Sequence, residues 1–154
     1  MGMGIRIRTL KCLVWSTLLY GCETWTVTKK MRKKIEATEM WFLRRMQRIP
    51  WTAKVTNERV LEMAGTQREV MATIRVRQLK FLGHILRHES LEKDVLLGRI
   101  EGRRSRGRPT IKYMDSLIND VAGVDNVMEL VRIAQDRVRW RSMVAHVNQD
   151  MAPR

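Results

Sequence analysis

Several residue types that mark secreted, membrane-spanning or metal-binding proteins are scarce in this sequence. Its 154 residues include two cysteines, Cys12 and Cys22, which are too few for a zinc ribbon or a disulfide scaffold. Ten residues apart on a helix, they would not meet, so we expect free, reduced thiols and an intracellular protein, nuclear or cytoplasmic and not secreted. No apolar run reaches the roughly 20 residues of a membrane span.

Acidic residues are also scarce. The chain has 16 Asp and Glu against 30 Lys and Arg, which gives a formal net charge of +14. This excess would repel itself in a compact fold and is typical of a protein whose partner is a polyanion. Nucleic acid is the first candidate, as RNA, DNA or a hybrid duplex, and an anionic membrane surface is the second. We expect nucleic acid and no membrane.

Glycine and proline are concentrated in residues 98–112, which cannot form a regular element. Each glycine costs a helix roughly 1 kcal/mol relative to alanine, and proline costs about 3 kcal/mol. We interpret this segment as a basic hinge between a helical bundle at 1–97 and a C-terminal helical pair at 113–149, with a frayed tail at 150–154. A solvated linker is the alternative interpretation. We expect the hinge cations to contact nucleic acid: Arg99, Arg103, Arg104, Arg106, Arg108 and Lys112.

Apolar residues recur at helical spacing outside the hinge, and no strand pattern is evident. The sequence therefore predicts an all-α fold, with about four helices before the hinge and two after it. The first predicted helix, at 5–20, is apolar nearly all round, so we expect it to be largely buried. Gly21 should end it.

The second predicted helix has a cationic side opposite its apolar side. Thr28 is a candidate N-cap, and Pro50 should stop the helix. We expect the cations of this helix to contact nucleic acid: Lys29, Lys30, Lys33, Lys34, Arg44, Arg45 and Arg48. An ordinary solvated face is the alternative.

Capping signals predict two further helices before the hinge. Thr56 and Gly65 should bound a short helix at 57–64. Thr66 and Glu69 have the spacing of a capping box, which predicts a long helix from there to about residue 88. We expect Val70, Ile74, Phe81, Leu82 and Ile85 to face inward in that helix, and Arg75 to face outward. Residues 90–97 should add another turn or two.

After the hinge, we predict a short helix at 113–121, ended by Gly123. A second capping box at Asn126 and Glu129 should open one helix that runs to about Val147, with Val138 facing inward.

The sequence contains no motif that predicts catalysis. It has no nucleophile elbow, no P-loop and no paired-Asp polymerase motif, and we predict no cofactor. His84 and His88 lie four residues apart, as in some zinc sites, but two ligands do not make a site. We therefore predict no metal.

The tetrapeptide Arg-Gly-Arg-Pro at 106–109 is similar to the core of an AT-hook, whose extended arginines lie in the minor groove of A·T-rich DNA. The similarity is four residues long, and such a match arises readily by chance in an arginine-rich segment. A standalone AT-hook-like DNA-binding protein is therefore kept as an alternative.

Five stretches in the same order resemble the carboxy-terminal end of endonuclease-reverse transcriptases of non-LTR (LINE-type) retrotransposons. They are LLYGCETWT at 18–26, MWFLRRM at 40–46, FLGHILR at 81–87, GRRSRGRP at 102–109 and AQDRVRWR at 134–141. The resemblance implies that residues 1–97 form a thumb-like bundle, which in that family clasps the template-primer duplex. The palm aspartates and the endonuclease of the family have no counterpart here, so the resemblance implies a fragment that is not an enzyme.

The sequence as a whole predicts a non-catalytic, nucleic-acid-binding fragment of a retrotransposon reverse transcriptase. The absent palm and fingers of the parent polymerase are a further candidate partner. The main alternative is a structural remnant of a truncated element with no retained activity.

Overall fold

The computed structural model describes residues 2–102, 113–118, 121, 124 and 126–150 of the chain. Within these residues the fold is all-α, as predicted, and contains no strand. Helix α1 is continuous through Met3–Thr9, a π-helical stretch at Leu10–Trp15, and Ser16–Leu18. The other helices are α2 (Lys29–Met46), α3 (Asn57–Ala64), α4 (Val70–Arg87), α5 (Leu91–Leu97), α6 (Tyr113–Ile118), α7 (Val127–Gln135) and α8 (Arg137–Asp150). Single 3-10 turns occur at Cys22–Thr24 and Trp51–Ala53.

Helix α4 is the element on which most of the other helices assemble. Its first half packs against α1 and the connector after it, in a cluster that joins Val70 and Ile74 to Trp15, Leu19 and Cys22. Its second half packs against the C-terminal helices. That cluster contains Leu79, Leu82 and Leu86 of α4 and, from the C-terminal helices, Leu117, Leu130 and Trp140. Helices on both sides of the predicted hinge therefore share α4 as a packing partner.

Helix α1 is packed on one side only, so the prediction that it is largely buried is wrong. Leu10 and Trp15 are buried, whereas Ile5, Leu13 and Leu18 are exposed. Among the described residues, α4 and α2 cover one stripe of this helix and leave the remaining apolar side chains in solvent. Gly21 follows with a φ of 66°, in the left-handed region that glycine favours, and ends the helix as predicted.

The predicted caps of α2 and α3 are confirmed. The Thr28 hydroxyl accepts a hydrogen bond from the Met31 backbone N–H at 3.2 Å, and the Thr56 hydroxyl accepts one from the Arg59 N–H at 3.3 Å. Gly65 closes α3 in the left-handed region. Helix α2 itself ends at Met46, before Pro50. Met40 and Leu43 of α2 pack on α3 in a third apolar cluster.

The capping box predicted at Thr66 is wrong, because α4 begins at Val70 and is capped by a residue of another helix. The carboxylate of Glu39, on α2, accepts hydrogen bonds from the backbone N–H groups of Glu69 and Val70, at 2.8 and 3.2 Å. The Thr66 hydroxyl contacts the Glu69 side chain at 3.2 Å and caps no amide. Burial raises the pKa of Glu39, although these two N–H groups act in the opposite direction.

Two inward and outward assignments in α4 are also wrong. Arg75, expected outside, is 3% exposed, and its guanidinium donates to the Gln78 side chain at 2.7 Å. Gln78 in turn donates to the carbonyls of Cys22 and Trp25, at 3.0 and 2.8 Å, so these polar groups join α4 to the connector. Phe81, expected inside, is exposed, because Leu79 and Leu82 already face the C-terminal helices. Val70, Ile74, Leu82 and Ile85 are buried as predicted.

The last predicted helix is two helices, with a break at Asp136. The Asn126 side chain caps α7 by accepting from the Glu129 N–H at 2.8 Å, as predicted. Asp136 then accepts from the N–H groups of Val138 and Arg139, at 2.9 and 3.1 Å, which starts α8 as a separate helix. Val138, expected inside, is 76% exposed in this helix.

Trp140 replaces Val138 as the inward-facing side chain of α8. It is 3% exposed, and its indole N–H donates to the Leu79 carbonyl at 3.1 Å. Gly83 of α4 makes room for this ring, since a Cβ at position 83 would lie 2.2 Å from the Trp140 Nε1. The Gly83 notch therefore sets where α8 crosses α4.

Helix α6 covers the first six residues of the helix predicted at 113–121. Its Tyr113 hydroxyl donates to the Glu23 carbonyl at 2.7 Å, which links the C-terminal helices to the connector after α1. Gly123, hinge residues 103–112 and tail residues 151–154 lie outside the described residues. None of the helices in the described ranges has the length and apolarity needed to cross a membrane.

Candidate nucleic-acid interface

The cationic side predicted for α2 lies on the surface. Its apolar side is packed against α4 and α3, while six of the seven predicted cations are exposed. These exposed cations are Lys29, Lys30, Lys33, Lys34 and Arg45 of α2, and Arg48, which was predicted on this helix but lies beyond its end at Met46. Within the described part of the chain, none of the four lysines forms an ion pair. These four lysines therefore carry positive charge that no ion pair within the described residues neutralises.

Arg44, the seventh predicted cation of α2, is half-buried and holds two helices together. Its guanidinium donates to the Val55 carbonyl at 2.8 Å and to the Asn57 side chain at 2.9 Å. Both acceptors lie at the start of α3. A contact between Arg44 and nucleic acid stays a prediction, and any such contact must use the remaining N–H groups of a side chain that already fixes the fold.

Trp41 lies among the cations of α2 and was missed by the sequence prediction. It is 55% exposed, and the Arg45 guanidinium carbon lies 5.6 Å from the centroid of its ring. At 3.6 residues per turn, positions 33, 37, 41 and 45 form one strip along the helix. The helical period that predicted the cationic side could therefore have placed Trp41 on it.

A cleft of about 580 Å³ opens beside this strip. Its walls come from α2, from the turn at Trp51–Ala53 and from Arg68, just before α4. Trp51, which lines the cleft together with Trp41, is 92% exposed. The cleft thus combines two accessible indole rings with three positively charged side chains and one carboxylate, that of Glu36.

The hinge cations are only partly within the described residues. Arg99 is exposed and lies 3.6 Å from the Asp94 carboxylate, so its charge is partly balanced. The other five predicted hinge residues lie outside the described residues: Arg103, Arg104, Arg106, Arg108 and Lys112.

A second cationic region, also missed by the sequence prediction, lies where the end of α4 meets the start of α8. Burial and the nearby charges of Arg137 and Arg141 lower the pKa of Arg87. The Arg87 guanidinium also donates to the Ala134 carbonyl at 3.1 Å. These arginines were separated by about fifty positions in the sequence, so no local pattern brought them together.

His84 of α4 and His88, which directly follows that helix, form no metal site with other residues that the structure describes. The ring centroids of His84 and His88 are 4.7 Å apart, and no group of three or more potential ligands occurs in the described ranges. Cys12 is exposed and Cys22 is buried, and both are free thiols, as predicted. Burial raises the pKa of the Cys22 thiol, which keeps it protonated and poorly reactive.

Comparison with known proteins adds one similarity to this geometry. No protein-family model matches the chain, and no solved structure matches it at a significant level. The chain is 23% identical over 150 residues to a transposon-derived protein of Caenorhabditis elegans, F52C9.6. That alignment covers 91% of this chain and 54% of the relative, so the chain spans about half the length of the curated relative it matches. Along nearly all of its length, the chain is therefore similar in sequence to a protein derived from a transposon.

Proposed function

We propose that the chain is a non-catalytic, nucleic-acid-binding segment of a retrotransposon reverse transcriptase, equivalent to the thumb and the region that follows it. The observation that carries this proposal is the lysine surface of α2. Lys29, Lys30, Lys33 and Lys34 are exposed, carry no ion pair within the described residues, and lie opposite the packed side of the helix. The sequence motifs of the non-LTR family and the similarity to a transposon-derived protein support the same origin.

The two lysine pairs are separated by about two phosphate steps of a nucleic-acid strand. With a rise of about 1.5 Å per residue, the pair 29/30 and the pair 33/34 are separated by roughly 6 Å along the helix. Phosphates of one DNA strand follow each other at about 3.4 Å along the duplex axis. Lysine ammonium groups act as point charges and read no base sequence, so we expect binding that is strong at low salt and independent of sequence.

The salt dependence of duplex binding tests this proposal. Replacing the four lysines by alanine should reduce the slope of log K against log salt by roughly 3 to 4, since each contacted phosphate contributes about 0.9. A matched control removes the same charge from exposed positions elsewhere: Arg8, Lys80, Arg132 and Arg139. Equal losses in the two variants would show that net charge, and not the α2 surface, drives binding.

The hinge is tested in the same assay. Replacing Arg103, Arg104, Arg106 and Arg108 by alanine should flatten the slope further if they contact phosphates. An unchanged slope would remove the hinge from the interface. A preference for A·T-rich over G·C-rich duplex that disappears in this variant would instead support the AT-hook alternative.

One observation favours the alternative of a structural remnant without activity. The outer side of α1 exposes Ile5, Leu13 and Leu18, an apolar surface of the kind that a missing neighbour would cover. A broad, non-cooperative thermal melt of the isolated chain, followed by circular dichroism, would support the remnant. A cooperative melt together with salt-dependent binding would exclude it.

A further inference from the structure

The cleft between α2 and the Trp51–Ala53 turn is lined by exposed aromatic side chains, which contact with the phosphates of a duplex does not require. Its lining includes Trp41 and Trp51, two large aromatic side chains that are 55% and 92% exposed. Tryptophan is highly buried on average, and the remaining residues of this turn offer Trp51 no cover. Two accessible rings that face one cleft are therefore an unusual feature of this surface.

We infer that this cleft binds an unpaired nucleobase of a single-stranded nucleic acid, which stacks on Trp41 or Trp51. The inference rests on the proposed function, because it specifies which form of nucleic acid the same surface takes. Its volume of about 580 Å³ lies within the usual range of small-molecule sites, which is roughly 300–1,000 Å³. A base and its sugar fit in that space.

The cations around the cleft supply partners for the phosphates on either side of the base. Lys33 lines the cleft and has no ion pair among the described residues. Arg68 lines it too, and its guanidinium lies 4.0 Å from the Glu36 carboxylate, a distance at the limit of an ion pair. Aromatic rings for bases combined with cations for the backbone are what proteins use to bind single strands.

An unpaired base fits this arrangement better than a base in a duplex. In a duplex, both faces of each base are covered by its neighbours, so an indole ring on the protein surface cannot stack on them without first unstacking the helix. In a single strand, the base faces are accessible. Because Lys33 belongs both to the lysine surface of α2 and to the cleft, a strand that follows the lysines passes the cleft.

The backbone around Trp51 holds it in an unusual turn. Arg48 and Lys54, on either side of the turn, have φ values of 58° and 50°. Among the described residues other than glycine, these are the two with positive φ, a conformation that side chains with a Cβ rarely adopt. Such backbone strain clusters at functional sites, which agrees with a turn that serves to present Trp51.

Three probes of equal length test the inference at one salt concentration: a labelled single strand of about 16 nucleotides, the same strand with abasic residues throughout, and a duplex. We expect Trp51→Ala to weaken binding of the base-carrying strand about tenfold, in line with the loss of one stacked base. Trp41→Ala should act in the same direction. Both variants should leave binding of the abasic strand and of the duplex unchanged, because those probes offer no accessible base.

Tyr20→Ala is the matched control, because Tyr20 is an exposed aromatic residue outside the cleft. Lys33→Ala is the contrasting variant, which should weaken the base-carrying and abasic strands alike and reduce the salt slope by about 0.7. Because Trp51 is almost fully exposed, its replacement should leave the thermal melt unchanged, so a loss of binding reflects the site itself.

The outcomes separate this inference from the proposed function. If the wild-type chain binds all three probes but the tryptophan variants bind the base-carrying strand as tightly as wild type, the base site is overturned and the proposed function stands. Equal weakening for the abasic strand would overturn it as well. If the wild-type chain binds none of the probes, the proposed function fails and this inference fails with it.

Discussion

The two halves of α4 differ in their balance of polar and apolar contacts. The first half packs on α1 in an apolar cluster, and it also meets α2 and the connector through buried polar groups: the Glu39 carboxylate, Arg75 and Gln78. The second half meets the C-terminal helices mainly through a larger apolar cluster around Leu130 and Trp140. We call the polar contacts of the first half the polar seam and the apolar cluster of the second half the apolar seam.

The two seams contribute differently to the stability and to the geometry of the fold. Apolar burial supplies stabilisation roughly in proportion to area and tolerates small rearrangements. Buried hydrogen bonds contribute less net stability, but each requires a particular donor and acceptor at a particular distance. Removing one of the two leaves the other buried without a hydrogen bond, which costs free energy. The apolar seam should therefore dominate the free energy of unfolding, while the polar seam fixes how α4 sits on the N-terminal helices.

Truncation of the apolar seam should have the largest effect. We expect Trp140→Ala to lower the free energy of unfolding by about 3–5 kcal/mol, because it removes a buried ring and leaves a cavity beside α4. Urea unfolding followed by circular dichroism measures this. Val138→Ala, at an exposed position of the same helix, is the control and should change stability by less than about 0.5 kcal/mol. Similar losses in the two variants would contradict the conclusion that burial in the apolar seam supplies this stability.

Overpacking of the same seam should cost less stability than truncation. Whether an added methyl group at Gly83 destabilises or stabilises the fold should depend on Trp140. Gly83→Ala places a methyl group against the Trp140 ring, so we expect a loss of about 1–3 kcal/mol. In a Trp140→Ala background the clash is gone, and alanine should stabilise the helix by roughly 1 kcal/mol relative to glycine. A double-mutant cycle that shows no coupling would mean that Gly83 does not act as the notch for Trp140.

In the polar seam, the shape and hydrogen bonding of Glu39 should matter more than its charge. Glu39→Ala leaves two N–H groups at the start of α4 without their acceptor, and we expect a loss of about 1–2 kcal/mol. Glu39→Gln keeps an acceptor oxygen and should be close to wild type at pH 7. Equal losses from alanine and glutamine would show that the carboxylate charge is what the seam needs.

The contact between Tyr113 and Glu23 crosses from one seam to the other. Tyr113→Phe removes the hydroxyl that donates to the Glu23 carbonyl, and we expect a loss of about 1 kcal/mol in urea unfolding. Burial raises the pKa of this phenol well above its usual range, so the contact should persist throughout the neutral and mildly alkaline range. Loss of the contact at pH 9 would contradict that.

The smallest expected effect is a pH dependence from Glu39. Because burial raises its pKa in the folded state, the folded chain binds more protons than the unfolded chain once the pH exceeds the ordinary glutamate value of about 4.3. Stability contributed by Glu39 is therefore present below that pH and is lost as the pH rises through the folded pKa. The unfolding free energy of wild type minus that of Glu39→Gln should fall between pH 4 and pH 7. A difference that stays flat or rises would contradict the raised pKa.

Local sequence signals predicted the parts of the fold that depend on neighbours in the chain. Thr28, Thr56, Gly65 and Asn126 each bound a helix as their residue type suggests. The break at Asp136 also had a local signal, because aspartate is a strong N-cap, but the surrounding apolar period favoured one long helix. Helical class and most boundaries thus follow from sequence alone.

Contacts between distant residues could not be predicted in that way. The Glu39 cap of α4 spans 30 positions, and the notch at Gly83 has meaning only once Trp140 lies against it. At the candidate site, the charges of α2 were predicted from helical spacing alone. Trp51 was not, since its cleft exists only when α2 and the following turn fold against each other.

The five tryptophans provide a reporter for each of these regions. The Trp140 indole N–H is buried and hydrogen-bonded in the apolar seam, Trp15 is buried against the first half of α4, and Trp51 stands in solvent at the cleft. In a nitrogen–proton correlation spectrum, these indole groups should give separate resonances with very different rates of hydrogen exchange. The order in which the Trp15 and Trp140 signals exchange would reveal whether the two ends of α4 open together or one at a time.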